Sequence, residues 1–104
     1  MTVNIWIPEQ LRSMTGGRSQ VQVETAGGSL RDALERLFLA HPGIRDRVLT
    51  ERGEIRQHLN VFVGKTDVRS TRGLATPLAN GMEISIIPSI SGGWSGSVDE
   101  ESTA

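Results

Sequence analysis

The feature that most constrains this chain is a set of short alternating segments arranged around one amphipathic helix. Apolar and polar residues alternate from residue 2 to residue 8, and again around Val21, Val61 and Ile86. Period-two alternation is typical of strands with one buried face. Between the second and third segments, residues 30–38 place apolar side chains at helical spacing. The pattern predicts the order strand, strand, helix, strand, short strand, strand, which is an α+β fold with the helix on one face of the sheet. The first two strands are expected to pair as an antiparallel hairpin through a long loop.

Local signals define the ends of the predicted helix. Ser29 is a good N-cap, and Asp32 three residues later favours a capping box. Residues 41–43, His-Pro-Gly, are expected to end the helix. A short second helix is predicted within residues 44–50.

The strands that follow are shorter and separated by turn residues. Residues 64–67 predict a turn, and a short fourth strand is expected to begin at Val68. With 104 residues the chain is expected to form one domain. Its predicted core consists of the apolar residues that share the inner side of the strands and helix: Val3, Ile5, Ile7, Val21, Val23, Leu30, Leu34, Leu37, Phe38, Leu59, Val61, Val63, Ile84 and Ile86.

Composition argues against several function classes. The formal net charge is −1 and the arginines are scattered along the sequence, so charge gives no case for nucleic-acid or membrane binding. The chain has no cysteine, which excludes disulfides, thiolate metal sites and cysteine nucleophiles. His41 and His58 lie in no triad motif and are interpreted as surface or capping residues. We therefore expect no active site, no metal and no bound cofactor within this chain.

The ends of the chain carry separate signals. The N-terminal residues show no secretory signal, and no apolar stretch is long enough to span a membrane. We therefore expect a cytoplasmic protein, and nothing in the sequence requires more than a monomer. After Ile90 the composition changes, because residues 91–104 offer almost nothing to bury. The sequence predicts a folded domain over residues 1–90 and a flexible tail over residues 91–104.

Three stretches carry a family resemblance: VNIWIPEQLRSMTGG near the start, LNVFVGKTDVRSTRGLATPLANG in the middle, and ISIIPSISGG at the end of the predicted domain. Together they span most of residues 1–93 and resemble the ThiS/MoaD family of ubiquitin-like sulfur carriers. They are most similar to its CysO-like branch, which feeds cysteine synthesis. The resemblance implies a β-grasp fold with a mixed sheet of about five strands, in agreement with the element order.

The resemblance also implies a function for the di-glycine Gly92-Gly93. In such carriers a partner related to ubiquitin-activating enzymes uses ATP to adenylate the C-terminal glycine, which becomes a thiocarboxylate. The sulfur then passes to a biosynthetic enzyme, of which a cysteine-synthase-like enzyme is one candidate. Glycine suits this role, because a residue without Cβ allows close approach of the backbone to another protein.

The chain departs from the family pattern because it continues from Trp94 to Ala104. Gly93 therefore has no free carboxylate, and we predict a precursor that a JAMM-type metallopeptidase cuts between Gly93 and Trp94. Two other interpretations remain open. In the first, the chain is a ubiquitin-like modifier that is joined through Gly93 to lysines of other proteins. In the second, it is an interaction domain with an inert tail.

Strand parity predicts a second site. If the helix covers the face that holds Ile5, Val61 and Ile86, then Trp6, Phe62 and Ile87 point to the opposite face. The β-grasp topology that the resemblance implies makes their three strands neighbours. An exposed cluster of such residues is typical of a partner-docking surface. The alternatives are unrelated surface residues, or residues that the C-terminal tail covers.

Overall fold

The computed structural model describes residues 1–88. The predicted domain boundary at residue 90 and the tail over residues 91–104 lie outside the described residues and remain predictions. No helix among residues 1–88 is long and apolar enough to cross a membrane.

The described chain forms one five-stranded sheet in the order β2-β1-β5-β3-β4. The first and last strands, β1 and β5, run parallel, and the other neighbouring pairs are antiparallel. This mixed sheet confirms the predicted architecture, including the antiparallel pairing of the first two strands. The strands are β1 (Thr2–Trp6), β2 (Gln20–Glu24), β3 (Leu59–Val63), β4 (Thr66–Asp67) and β5 (Glu83–Pro88).

The main helix, α1 (Leu30–Ala40), covers one face of the sheet, and its ends are as predicted. The Ser29 hydroxyl accepts a hydrogen bond from the Asp32 N–H (3.3 Å), and the Asp32 carboxylate accepts one from the Ser29 N–H (3.2 Å). His41 is the C-cap residue, and its N–H donates to the Leu37 carbonyl. A short α2 (Arg45–Val48) follows, inside the range predicted for a second helix.

The hydrophobic core lies between α1 and the sheet. Every residue predicted for the core is buried. The core also takes in apolar side chains that the sequence analysis did not assign to it, most of them from the connecting segments: Leu11, Ala33, Ile44, Val48, Leu49 and Val68.

Two connections differ from the prediction. The fourth strand does not begin at Val68: β4 is Thr66–Asp67, and Val68–Ser70 is a turn of 3-10 helix. The Asp67 carboxylate accepts a hydrogen bond from the Arg69 N–H at 2.9 Å, and the Val68 side chain is fully buried. Because of this hydrogen bond and the burial of Val68, the chain turns toward the core and the strand does not continue. The expected long loop after β1 contains a 3-10 helix, Glu9–Thr15, which buries Leu11.

Candidate functional site

The strand that leads to the di-glycine lies in the middle of the sheet. Strand β5 pairs with β1 along one edge and with β3 along the other. Its last residue, Pro88, is the register partner of Leu59 at the start of β3. The predicted reactive and cleavage residues, Gly92, Gly93 and Trp94, lie outside the described residues. The structure defines the strand that precedes them, β5, which is hydrogen-bonded to a neighbouring strand on each side.

The open face of the sheet brings together the three residues predicted for docking. Trp6 and Phe62 are both register partners of Ser85, one on each side of β5. Ile87 is two positions beyond Ser85 and therefore lies on the same face. We call Trp6, Phe62 and Ile87 the sheet-face patch. The structure places all three on the open face, as strand parity predicted, and their role in docking stays a prediction.

The sheet-face patch is accessible and has a polar border. Trp6 is 39% exposed and Ile87 is 44% exposed, while Phe62 is half-buried. The Trp6 indole N–H donates to the Glu83 carboxylate at 3.1 Å, so the polar end of the ring has a partner. On the far side of β1, exposed Gln20 is the register partner of Trp6. Apolar side chains inside a polar rim are typical of protein interaction surfaces.

A groove of about 410 Å³ lies beside the patch. Because β1 and β5 are parallel, their C-terminal ends meet at the same edge of the sheet, and the groove lies there. Trp6, Ile87 and Pro88 line one part of it, and Glu9 and Arg12 of the 3-10 helix line another. The Arg12 guanidinium donates to the Ile7 carbonyl at 3.0 Å, which fixes the side chain. The sequence analysis missed this groove, because the segment after β1 has no clear periodicity.

Residues with catalytic or ligand chemistry are dispersed within the described chain. Residues 1–88 contain no group of three or more His, Cys, Asp and Glu side chains that could hold a metal ion. His41 ends α1 and His58 is exposed, in line with their interpretation as capping and surface residues.

Comparison with known proteins identifies the family. The family model described as the ThiS family matches residues 5–93, a range that ends at the di-glycine. The sulfur carrier protein CysO of Mycobacterium tuberculosis is 35% identical over 95 residues, which cover 89% of this chain and all of the relative. Small archaeal modifier protein 1 of Haloferax volcanii is 36% identical over 84 residues, covering 80% of this chain and 91% of the relative.

A solved structure supports the same assignment. A chain of the crystal structure of the Amycolatopsis orientalis BexX/CysO complex is 32% identical, with a TM-score of 0.76, covering 88% of this chain and 99% of the other. The likeness confirms the predicted β-grasp fold, in which a mixed five-stranded sheet carries one main helix on one face. The chain therefore belongs to the ThiS family of ubiquitin-like sulfur carrier proteins and is similar to CysO within it.

Proposed function

We propose that this chain is a carrier and not an enzyme, and that Gly93 bears the sulfur as a thiocarboxylate. The observation that carries the proposal is the family match, which extends to residue 93 and so includes the di-glycine. The position of β5 also supports the proposal, because Gly93 follows a strand that pairs with a neighbouring strand on each side. The similarity to CysO favours cysteine or a related sulfur metabolite as the product.

The chemistry takes place in a partner enzyme. The Gly93 carboxylate attacks the α-phosphate of ATP, pyrophosphate leaves, and an acyl-adenylate forms. Hydrosulfide then attacks the acyl carbon and displaces AMP, and loss of the proton from sulfur leaves the thiocarboxylate. ATP belongs to this adenylating partner and not to the carrier, and we place the reaction in the cytoplasm, where ATP is available. The sulfur is finally transferred to a biosynthetic enzyme, for which we propose a cysteine-synthase-like protein.

Activation requires a free carboxylate on Gly93. In the full sequence this carbonyl forms the peptide bond to Trp94, and the residues from Trp94 to Ala104 extend beyond the family match. We propose that a JAMM-type metallopeptidase hydrolyses this bond. Water then adds to the Gly93 carbonyl carbon and the Trp94 amine leaves. Two glycines before the cut allow the backbone to lie close to an enzyme surface.

We propose that the activating enzyme docks on the sheet-face patch. The patch is centred on β5, the strand that leads to Gly93, with Trp6 and Phe62 on the two neighbouring strands. It exposes Trp6 and Ile87 inside a polar rim. Trp is among the residues that contribute most to binding at protein interfaces. The relative in the BexX/CysO structure is described as part of a complex, which supports a protein partner for carriers of this kind.

A second candidate function is protein modification. It is favoured by the similarity to small archaeal modifier protein 1 of Haloferax volcanii. In that case the activated Gly93 is joined to a lysine of another protein through an isopeptide bond. The chain has a single lysine, Lys65. Polymeric chains built on the modifier itself would be restricted to Lys65 and the N-terminus.

Intact-mass spectrometry of the chain purified from its native cell tests the proposal. We expect a species that ends at Gly93 with one oxygen replaced by sulfur. A species that ends at Gly93 without sulfur, together with isopeptide remnants on lysines of other proteins, would favour the modifier. Recovery of the full-length chain alone, ending at Ala104, would overturn both functions and favour an interaction domain with an inert tail. A Gly93→Ala variant expressed in the same cell is the matched control, and we expect it to carry no sulfur.

A further inference from the structure

The fold brings four arginines together that are far apart in the sequence. Arg31 in the first turn of α1, Arg52 in the loop after α2, and Arg69 and Arg72 after β4 all line one groove. The groove has a volume of about 540 Å³, and Glu54 is the acidic residue in its lining. The scattered arginines of the sequence therefore form a basic surface, which we call the arginine groove.

The arginine groove is open and is not neutralised within the described chain. All four arginines are exposed. The ion pair found among residues 1–88 joins Arg45 to Asp46, outside the groove. Arg69 is held in place, because its guanidinium donates to the Asn60 amide oxygen at 2.6 Å and to the Arg56 carbonyl at 2.9 Å. Guanidinium groups bind carboxylates with paired hydrogen bonds, so the groove suits a short acidic segment.

The groove begins close to the point where the chain leaves the sheet. Asn60, which Arg69 contacts, is the register partner of Ile87 on β5. Pro88 follows Ile87 and ends β5. One side of the arginine groove is therefore only a strand's width from the start of the C-terminal segment.

We propose that the acidic stretch from Asp99 to Glu101 docks in the arginine groove while residues 94–104 remain attached. Residues 99–101 are three consecutive carboxylates, and residues 89–104 contain no lysine or arginine. Positions 88 and 99 are 11 residues apart, and the sequence between them is mostly Ser and Gly, a composition for which a linker of that length has a root-mean-square span of about 18 Å. The acidic stretch therefore reaches the groove easily, and the short tether gives it an effective concentration of roughly millimolar.

The docking has a consequence for binding by other molecules. While the acidic stretch occupies the arginine groove, it competes with any acidic surface of a partner. Loss of residues 94–104 removes three acidic and no basic residues, which changes the formal net charge from −1 to +2 and frees the groove. This consequence rests on the proposed removal of the extension, whereas the docking itself does not.

Paramagnetic relaxation enhancement on the full chain tests the docking. Because the chain has no cysteine, a Ser102→Cys substitution gives one unique site for a nitroxide label beside the acidic stretch. We expect the amide signals of residues 52–55 and 69–75 to lose about half of their intensity or more, since a millimolar effective concentration is enough to populate a weak contact. We expect about 0.5 M salt to restore most of the lost signal intensity, because exposed ion pairs are screened at that ionic strength.

Two charge variants of the labelled chain serve as controls. Asp99→Asn, Glu100→Gln, Glu101→Gln neutralises the tail, and Arg52→Gln, Arg72→Gln neutralises two exposed groove side chains without touching the core. Each is expected to restore the signals of residues 52–55 and 69–75. Signal loss that persists in both variants would overturn the proposal, as would loss centred on the sheet-face patch. A mixture of a nitroxide-labelled copy with a separate isotope-labelled copy detects contacts between molecules. Signal loss that appears only in this mixture would assign the contact to a second molecule and would overturn the proposal as well. No partner enzyme is present, so the result is independent of the carrier proposal.

Discussion

The two faces of the sheet use the same strands for different purposes. On β5, Ile86 faces α1 and is 2% exposed, whereas its neighbour Ile87 faces away from the helix and is 44% exposed. The same contrast separates Ile5 from Trp6 on β1. The covered face supplies the hydrophobic stabilisation of the domain, whereas the open face leaves apolar side chains exposed. Under the proposed docking role of the sheet-face patch, stability and recognition are encoded one residue apart and should be separable by mutation.

The largest effect on stability is expected from a matched pair of substitutions on β5. Ile86→Ala removes a buried side chain from the core and should lower the free energy of unfolding by about 2–5 kcal/mol. Ile87→Ala removes the same atoms from the open face and should lower it by about 1 kcal/mol or less. Chemical denaturation of both variants and of the unsubstituted chain measures the difference. Equal losses would show that the open face is not exposed in solution.

The next prediction concerns recognition on the open face. Trp6→Ala combined with Phe62→Ala should weaken binding of the adenylating partner by about 30-fold or more, as expected when large aromatic side chains are lost from an interface. Leu39→Ala is the control, because Leu39 is 73% exposed on α1, away from the sheet-face patch. Calorimetric titration measures both affinities, and thermal melting checks that Phe62→Ala leaves the chain folded. Unchanged affinity of the folded double variant would exclude the patch as the docking site.

The smallest of the three effects is expected at Ser29, the N-cap residue of α1, and it concerns the free energy of unfolding. Ser29→Ala removes the hydroxyl that accepts from the Asp32 N–H and should lower the free energy of unfolding by about 1 kcal/mol. Partner affinity should stay the same, since α1 lies on the other side of the sheet. Ser29→Thr keeps a hydroxyl that can accept from the Asp32 N–H and donate to the Asp32 carboxylate, and it should retain most of the stability. If Ser29→Ala weakened partner binding while leaving stability unchanged, the separation of the two faces would be wrong.

Regular periodicity made much of the fold predictable. The alternation around Val21, Val61 and Ile86 correctly located strands, because a strand that buries one face must repeat its apolar residues every second position. Ser29 and Asp32 located the start of α1 for a similarly local reason, since both partners of the capping box lie within one turn. The sheet-face patch was predicted from strand parity together with the strand neighbours implied by the family resemblance.

Features made by irregular segments were missed or misplaced. Leu11 and Val68 are single buried apolar residues in 3-10 segments, and a single residue has no period to detect. The start of β4 was placed too late because Val68 looked like a strand residue. The Asp67 carboxylate and the core contact of Val68 decide that conformation, and both depend on the folded environment.

The sequence alone determined the four longer strands and the main helix, and which of their side chains turn inward, because those properties repeat over a few neighbouring positions. Its resemblance to sulfur carriers also indicated the family. Only the tertiary structure decided that Arg31, Arg52, Arg69 and Arg72 line one groove and that this groove begins beside the end of β5. Such proximity depends on how distant segments pack against one another, and no local pattern in the chain records it.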